Sequence, residues 1–404
     1  MPMHDITNVN NLFKIKYGQL SENVYNSANV LLGRVVKKYD FTGRQMFVPI
    51  PTSFAGGVGS GSLPTANYAS VEDAIITAKK VYATVQIDRE AMKASMDDEG
   101  AFVRFTKWPI QKTVESYMRN ASRILFNDGT GSLAAGDGST NVSGTGTAAD
   151  PYLVKLNSNT KEANVEEKDF WNYDTETTNL EVVAYNPTTR VVSLVGTSAG
   201  LAALSGVGPV PTNKYFYMQG SRNNDPMGLK GVLDATSGTL YSVPVSRKFQ
   251  ATQVDAAGAG LTTDAMNQVM LEVQRKSGKV PNLIVTSFTQ YRKLLNLLED
   301  QKQYTVEPRA ENLKGKVSFS GVEFMSSAGA VGVFPERFVE NDRMYFLNDN
   351  FITLYHRPGF GWFDDDGTVL LRDASSDSYS ARYGGYWEAY IVPTFHGVIT
   401  GLAT

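Results

Sequence analysis

Two adjoining stretches, Arg44-Gln-Met-Phe-Val-Pro-Ile-Pro51 and Pro51-Thr-Ser-Phe54-Ala-Gly56-Gly57-Val-Gly59-Ser-Gly61-Ser-Leu-Pro64, decide how the rest of the chain is read. In the first, Met46, Val48 and Ile50 alternate with Gln45, Phe47 and Pro49, the period of a strand. In the second, glycines and prolines suit turns but cannot pack a core. Lys79 to Asp88 resumes the alternation through Val81, Ala83, Val85 and Ile87, which predicts a hairpin over 40–88 with a glycine-rich tip. Arms of about fifteen residues at ~3.3 Å each would carry that tip roughly 50 Å from its base. A ribbon that long has too little of its own to fold against. It must lie on something else, and another copy of the same chain is the simplest support.

Downstream, an acidic turn at Asp97-Asp98-Glu99-Gly100 leads into apolar residues at Phe102, Phe105, Ile110, Val114, Tyr117, Met118, Ala121, Ile124 and Leu125, close to a 3.6 period. The acids suit the positive end of a helix dipole, and Arg119 and Arg123 suit its negative end. Pro109 inside this run predicts a kink or break after Trp108, because proline lacks an N–H and crowds the preceding turn. Ile124-Leu-Phe-Asn127-Asp128-Gly129-Thr-Gly131 reads as the helix stop. From Phe102 to Phe126, Arg104, Lys107, Lys112, Arg119 and Arg123 stand against Glu115 alone. That excess offers a face for nucleic-acid phosphates or for intersubunit salt bridges.

The length of 404 residues allows two or three domains. The absence of cysteine excludes disulfides and thiolate chemistry, and a formal net charge of −3 gives no whole-chain case for sequence-specific nucleic-acid binding. No window approaches a membrane span, and the start, Met1-Pro-Met-His-Asp5, lacks signal-peptide character, so a cytoplasmic, membrane-free protein is expected.

Before the hairpin, Leu20, Val24, Ala28, Leu31 and Leu32 recur at helical spacing, with Gly33 as the stop. After Asn127 the composition turns to Gly, Ser, Thr, Ala and Asp, then to short alternating strands. Asn186-Pro187 separates Leu180–Tyr185 from Arg190–Val195, and Tyr215-Phe-Tyr217 reads as a returning strand; together these predict an inserted β-rich module. Thr262 or Thr263 can cap a helix with Met266, Val269, Met270 and Val273 that Gly278 closes. A strand at Leu283–Val285 follows, and Ser287 caps a second helix with Tyr291, Leu294, Leu295 and Leu298. Further strands are expected at Val317–Phe319, Val322–Met325, Met344–Leu347, Phe351–His356, Thr368–Arg372 and Tyr386–Val392.

Chemical motifs are sparse. Gly196-Thr-Ser198-Ala-Gly200 fits a nucleophile elbow, with Asp373 and His396 following in hydrolase order, but the elbow needs a parallel strand feeding a helix and the preceding strand is the arm of an antiparallel hairpin. Gly129-Thr-Gly131-Ser-Leu-Ala134 fits a loose dinucleotide fingerprint but follows a helix. Asp364-Asp-Asp366 could take a hard cation; Asp366-Gly367 reads more simply as a hairpin turn between Phe360–Phe363 and Thr368–Leu371. His4, His356 and His396 are too scattered for a metal site by spacing. No cofactor and no catalytic residue is expected.

The order of these parts, with the phrases Tyr217-Met-Gln-Gly-Ser221, Met227-Gly-Leu-Lys-Gly231, Gly278-Lys-Val-Pro-Asn-Leu-Ile-Val-Thr-Ser287, Phe319-Ser-Gly-Val-Glu-Phe324 and Tyr379-Ser-Ala-Arg-Tyr383, resembles the major capsid proteins of tailed double-stranded DNA bacteriophages, the Hong Kong 97 fold. The resemblance implies an α+β capsid fold: N-terminal arm 1–39, extended loop hairpin 40–88, spine helix and peripheral domain 89–127, inserted module 128–228, axial domain 229–339, peripheral strands 340–372, and a return to the axial domain over 373–404. It also implies self-assembly as pentamers and hexamers into an icosahedral shell around non-specifically packaged double-stranded DNA. The shell would form in the host cytoplasm and end in the virion. A separate scaffolding protein, a portal and a decoration protein are the implied partners. The loop tip, Phe54, Gly56, Gly57, Gly59 and Gly61, would contact a neighbouring subunit. Some family members weld the shell through a loop lysine, but 41–78 holds none, so no covalent ladder is expected. The same architecture serves encapsulin compartments, the alternative within the fold; a serine hydrolase through Ser198 is the alternative outside it.

Overall fold

The computed structural model describes residues 30–38, 41, 43, 45–51, 70–89, 99–299, 322–326, 329–364, 367–373 and 375–404. A short helix α1 (Val30–Arg34) buries Leu31 and Leu32, and β1 (Val36–Lys38) follows. The strand at the decisive stretch is β2 (Gln45–Pro51), and it pairs antiparallel with β3 (Val71–Thr77), Met46 opposite Ile76 and Ile50 opposite Glu72. The expected second arm, Lys79–Asp88, is a separate strand, β4. It leaves the ribbon at Ala78 and pairs instead with a strand about 300 residues later in the chain. The alternation was real, but it reported one buried face and not the neighbour.

Helix α2 (Glu99–Leu125) runs through Pro109 without ending. The lost hydrogen bond is outweighed downstream, where Ile110, Val114, Tyr117, Met118, Ala121, Ile124 and Leu125 are all buried. Its stop is tight: Asn127 N–H donates to Ile124 O at 3.0 Å, and Gly129 and Gly131 take φ of +80° and +79°. Gly131 has a second reason to lack a side chain, since a Cβ there would lie 2.3 Å from Ser221 O.

Residues 132–218 supply a six-stranded antiparallel sheet from β5 (Ser132–Ala135), β6 (Tyr152–Lys155), β7 (Phe170–Tyr173), β8 (Leu180–Asn186), β9 (Val191–Val195) and β10 (Tyr215–Met218), with the short helix α3 (Ala199–Leu204) before the last. The order is β5-β10-β7-β8-β9-β6, and a Gly136–Leu156 bridge, with Asn157 N–H on Ala135 O at 2.9 Å, joins the two ends. The sheet thus closes on itself as a small barrel. Alternating side chains fill it: Trp171, Leu180, Val182, Val192, Leu194 and Phe216 are fully buried, with Trp171 and Phe216 rings 5.6 Å apart.

The chain returns through α4 (Leu229–Leu233) and the tiny hairpin β11 (Thr239–Leu240) and β12 (Val243–Pro244) to β13 (Thr252–Asp255). Then come α5 (Thr263–Ser277), β14 (Leu283–Thr286), α6 (Phe288–Glu299), β15 (Val322–Ser326), β16 (Gly329–Pro335) and β17 (Met344–Leu347). Thr262 Oγ1 accepts from Ala265 N–H at 3.1 Å, Gly278 closes α5 at φ +72°, and Ser287 Oγ accepts from Gln290 N–H at 3.2 Å, as the capping residues predict. β18 (Ile352–Trp362), β19 (Leu371–Arg372) and β20 (Ser378–Ile391) belong to the first layer, and β21 (Gly397–Thr400) closes the second sheet in the order β13-β21-β17-β14-β16-β15. In the first layer, β20 lies between β4 on one side and β18 with β19 on the other, and β1 flanks β18. Helix α2 packs across this sheet, Tyr117 meeting Tyr383 edge-on at 5.1 Å.

Several expectations need correction. Met344–Leu347, placed with the peripheral strands, pairs with β14 and β21 in the second sheet, where all four of its residues are buried. Phe360–Phe363 and Thr368–Leu371 do not form a hairpin: β18 and β19 both pair with β20. Gly367 N–H does close a turn on Asp364 O at 2.8 Å, but that turn links two strands laid in succession along one partner. The strand expected from Tyr386 begins at Ser378, and Thr252–Asp255, Gly329–Pro335 and Gly397–Thr400 are further strands of the second sheet. Val317–Phe319 lies outside the described residues, as does the stretch from Leu20 to Ala28.

Candidate assembly surface

The β2–β3 ribbon has two unlike faces. Ala74 and Ile76 are buried, and Met46, Val48 and Ile50 pack beside them on the main core. The opposite face carries Phe47 against Ile75, Pro49 against Asp73 and Pro51 against Val71. Phe47 is 56% exposed and Val71 58% exposed, so an apolar row with one carboxylate looks outward. Two prolines on β2 discourage strand addition at that edge and leave face-on contact as the favoured mode. The tip residues Phe54, Gly56, Gly57, Gly59 and Gly61 lie outside the described residues.

The ribbon is anchored by a tight turn. Tyr241 and Ser242, between β11 and β12, both take positive φ (51° and 69°), and Tyr241 O accepts from Ile75 N–H at 2.8 Å. The Tyr241 hydroxyl donates to Ala389 O at 2.8 Å and accepts from Ile391 N–H at 3.3 Å, joining ribbon to β20. A cavity of about 380 Å³ lies under this base, lined by Ile75, Lys79, Met227, Tyr241 and Glu388 among others. Burial pushes the Glu388 carboxyl up to about 8, against a 2.6 Å hydrogen bond from Met227 N–H and the nearby Lys79 charge.

The basic face of α2 is divided. Lys112 is exposed and meets Glu115 at 2.6 Å. Arg119 bonds Asp169 at 3.0 Å and touches the Glu166 carboxylate, both on the barrel. Arg123, its side chain 4% exposed, bonds Asp225 at 3.1 Å and Asn120 at 2.8 Å. Arg119 and Arg123 therefore hold parts of this chain together and do not present their charge to a phosphate. Arg104 and Lys107 stand on the part of α2 where only the backbone is described.

A buried ionic cluster that the sequence did not reveal completes the barrel's attachment. Lys230 Nζ lies 2.9 Å and Lys161 Nζ 3.7 Å from Glu340 Oε1, Arg343 Nε lies 3.2 Å from Glu340 Oε2, and Arg343 Nη1 reaches Asp234 at 2.6 Å. Burial alone would raise Glu340, but Lys161, Lys230 and Arg343 outweigh it and hold the carboxyl at about 2. Lys161 also reaches Asn127 Oδ1 at 3.2 Å, so barrel, helix end and second layer meet at one point. These residues are spread from 161 to 343, and no local pattern could have joined them.

The hydrolase residues sit in separate settings. Ser198 is buried in the barrel, its Oγ capping α3 through Leu201 N–H at 3.1 Å. Asp373 accepts from Ser375 and Ser376 in an exposed turn. His396 is buried between β20 and β21, where Asn348 N–H donates to its Nδ1 at 3.2 Å and burial pushes it down to about 3. Among the described residues no cluster of three or more His, Asp and Glu is placed to hold a metal, and no helix is long and apolar enough to cross a membrane. Asp365 and Asp366 lie outside the described residues.

The fold is α+β, with an extended ribbon and a long helix beside two sheet layers and a β-barrel inserted after the helix, and it is the fold seen in phage capsid subunits. The family model of the SU10 major capsid protein matches residues 203–361. The subunit in the capsid asymmetric unit of cyanophage A-1(L) superposes with a TM-score of 0.53 at 11% identity, covering 92% of this chain and 91% of that one. Also similar are the capsid of a native GTA particle (TM-score 0.46, 9% identity, 92% and 90% covered) and the SrpI encapsulin of Synechococcus elongatus PCC 7942 (0.42, 8%, 91% and 85%). No curated protein sequence matches the chain.

Proposed function

We propose that this chain is a major capsid protein, a structural subunit without catalytic duty. Its copies assemble as pentamers and hexamers into an icosahedral phage shell that encloses double-stranded DNA. The observation that carries this reading is the ribbon: a two-stranded arm whose outward face is apolar at Phe47, Pro49, Pro51 and Val71, on a subunit with the capsid fold. Such a face is stabilised by burial at ~25 cal/mol per Å², and a neighbouring copy is the natural cover. In this reading the α2 layer with β4, β18 and β20 is the peripheral domain, the β13–β17 layer with α5 and α6 is the axial domain, and 128–228 is an insertion. A scaffolding protein, a portal and a decoration protein are the expected partners, the host cytoplasm the place of assembly and the virion the destination.

Electron microscopy of the purified protein, alone and with a scaffolding protein encoded nearby, tests this. Closed shells or five- and six-fold rings are expected. A monodisperse monomer under both conditions would overturn the reading. Shells that load a protein cargo in place of DNA would move the chain to the encapsulin alternative.

A further inference from the structure

A groove of about 1170 Å³ runs between the inner side of the ribbon and the end of α5. Val48, Ile50, Phe249, Tyr390, Phe351 and Phe395 give it an apolar floor, the last two with rings stacked at 3.6 Å. Its rim carries Arg247, Lys248, Arg275 and Lys276 against the single carboxylate Glu272. An apolar floor under an excess of cations selects an occupant that is both apolar and acidic.

Of the longer stretches outside the described residues, 1–29 is balanced in charge, 52–69 has no charged side chain, and 300–321 holds more cations than acids. Glu90 to Asp98, running into Glu99 at the start of α2, alone combines the two properties, with Met92 and Met96 beside Glu90, Asp97 and Asp98 against Lys93. That segment cannot reach the groove of its own subunit. It starts after Arg89, which is tied to Asp377 by a backbone hydrogen bond of 3.1 Å and an ion pair of 3.2 Å, next to the Asp88–Ser378 end of the β4–β20 pair. The groove lies at Tyr390, twelve residues further along β20, about 40 Å away at ~3.3 Å per residue. The far end of the segment is more distant still: Tyr117 packs at Tyr383, Ile124 lies by Lys79, and Glu99 starts α2 about 27 Å back along the helix from Tyr117.

We infer that the groove of one subunit receives the acidic Glu90–Glu99 segment of a second copy, a head-to-tail contact of the kind that closes rings. This rests on the shell-subunit reading above. Carbodiimide coupling of shells assembled from mixed ¹⁴N- and ¹⁵N-labelled subunits tests it on the unaltered protein. Asp97, Asp98 or Glu99 should be joined to Lys248 or Lys276 across the two isotopes, and free subunits should give no such product. Shells in which Lys248 couples instead to Glu307 or Glu311, or to no carboxylate of a neighbour, would overturn the groove assignment while leaving the shell reading intact. Charge exchange gives a second arm. Arg247→Glu with Lys248→Glu, or Asp97→Lys with Asp98→Lys, should each raise the concentration needed for assembly about tenfold, and all four together should restore it. Absence of recovery, with all variants melting like the parent chain, would overturn the contact. Failure of the parent chain to form any shell would remove the reading beneath it, and the contact with it.

Discussion

The barrel over 132–218 and the ribbon of β2 and β3 are both β excursions from the subunit, and they solve opposite problems. The barrel bridges Gly136 to Leu156, leaves no open sheet edge at that point and fills itself with Trp171, Phe216, Leu180 and Leu194. It is then pinned to the body by Arg119 to Asp169 and by Lys161 to Glu340. The ribbon has no interior of its own. One face leans on the subunit core through Ala74 and Ile76, and the other leaves Phe47 and Val71 exposed. A module whose apolar residues are satisfied within the chain contributes to the subunit's stability, whereas a ribbon with an uncovered apolar face leaves surface that a neighbour would cover in the proposed shell.

Emptying the barrel should have the largest effect on the subunit. Trp171→Ala should destabilise the barrel by about 3–5 kcal/mol through lost burial and the cavity left behind. Denaturant-dependent hydrogen exchange should locate the loss within 132–218, while the fluorescence of Trp108, Trp362 and Trp387, all outside the barrel, should change little. A uniform loss across the chain would mean that the barrel is not a separate cooperative unit.

Next in size is the pin. Glu340 is held at about 2, below its unfolded range near 4.5, so its contribution is present above pH ~4.5 and fades as pH falls toward 2. Glu340→Gln leaves Lys161, Lys230 and Arg343 without their shared carboxylate and should cost on the order of 3 kcal/mol at pH 7. The difference from the parent should shrink between pH 4.5 and 3; urea titrations at pH 7 and pH 3 read it. A constant deficit at both would show that packing, not charge, holds the barrel.

Glu388, beneath the ribbon's base, carries the opposite sign. Its folded value of about 8 lies above the unfolded range, so its proton stabilises the fold below pH ~4.5 and that stabilisation is lost progressively as pH rises toward 8. Glu388→Gln should therefore match the parent at pH 5 and exceed it by on the order of 2 kcal/mol at pH 8, as a rise in thermal midpoint. Equal pH slopes for the two proteins would show that Glu388 is ionised in the folded state at neutral pH.

Local patterns made much of this legible. The α2 stripe, the caps at Thr262 and Ser287, the stop at Gly278, the arm at Gln45–Pro51 and the turn after Asn186 depend on neighbours within a few residues, and all lie where their spacing put them. Pairing between distant strands was not legible. The alternation in Lys79–Asp88 is the same whether its partner is β3 or β20, and the all-buried Met344–Leu347 carries no alternation to say which sheet it enters. The site divides in the same way. Composition pointed to a ribbon without a core of its own, but not to the support that one face finds on this chain's own core through Ala74 and Ile76, and the fate of Arg119 and Arg123 depended on Asp169 and Asp225, 50 and 102 residues away.

The smallest expected effect on the subunit is the most telling. Replacing Phe47 and Val71 by serine removes mostly exposed apolar surface and only the cross-strand contacts with Ile75 and Pro51, so the stability of the isolated subunit should fall by no more than about 1 kcal/mol. The same pair should sharply reduce shell formation in light scattering, because the lost surface is what a neighbour would cover. Trp171→Ala gives the reverse pattern, a weakened subunit with the ribbon face unchanged. If the serine pair melts early, the outward face is already used within the chain, and the contrast between a self-contained barrel and an open ribbon fails. If it melts normally and still assembles, the ribbon's apolar row is not a subunit contact, and the proposed shell would be held by other surfaces of the subunit.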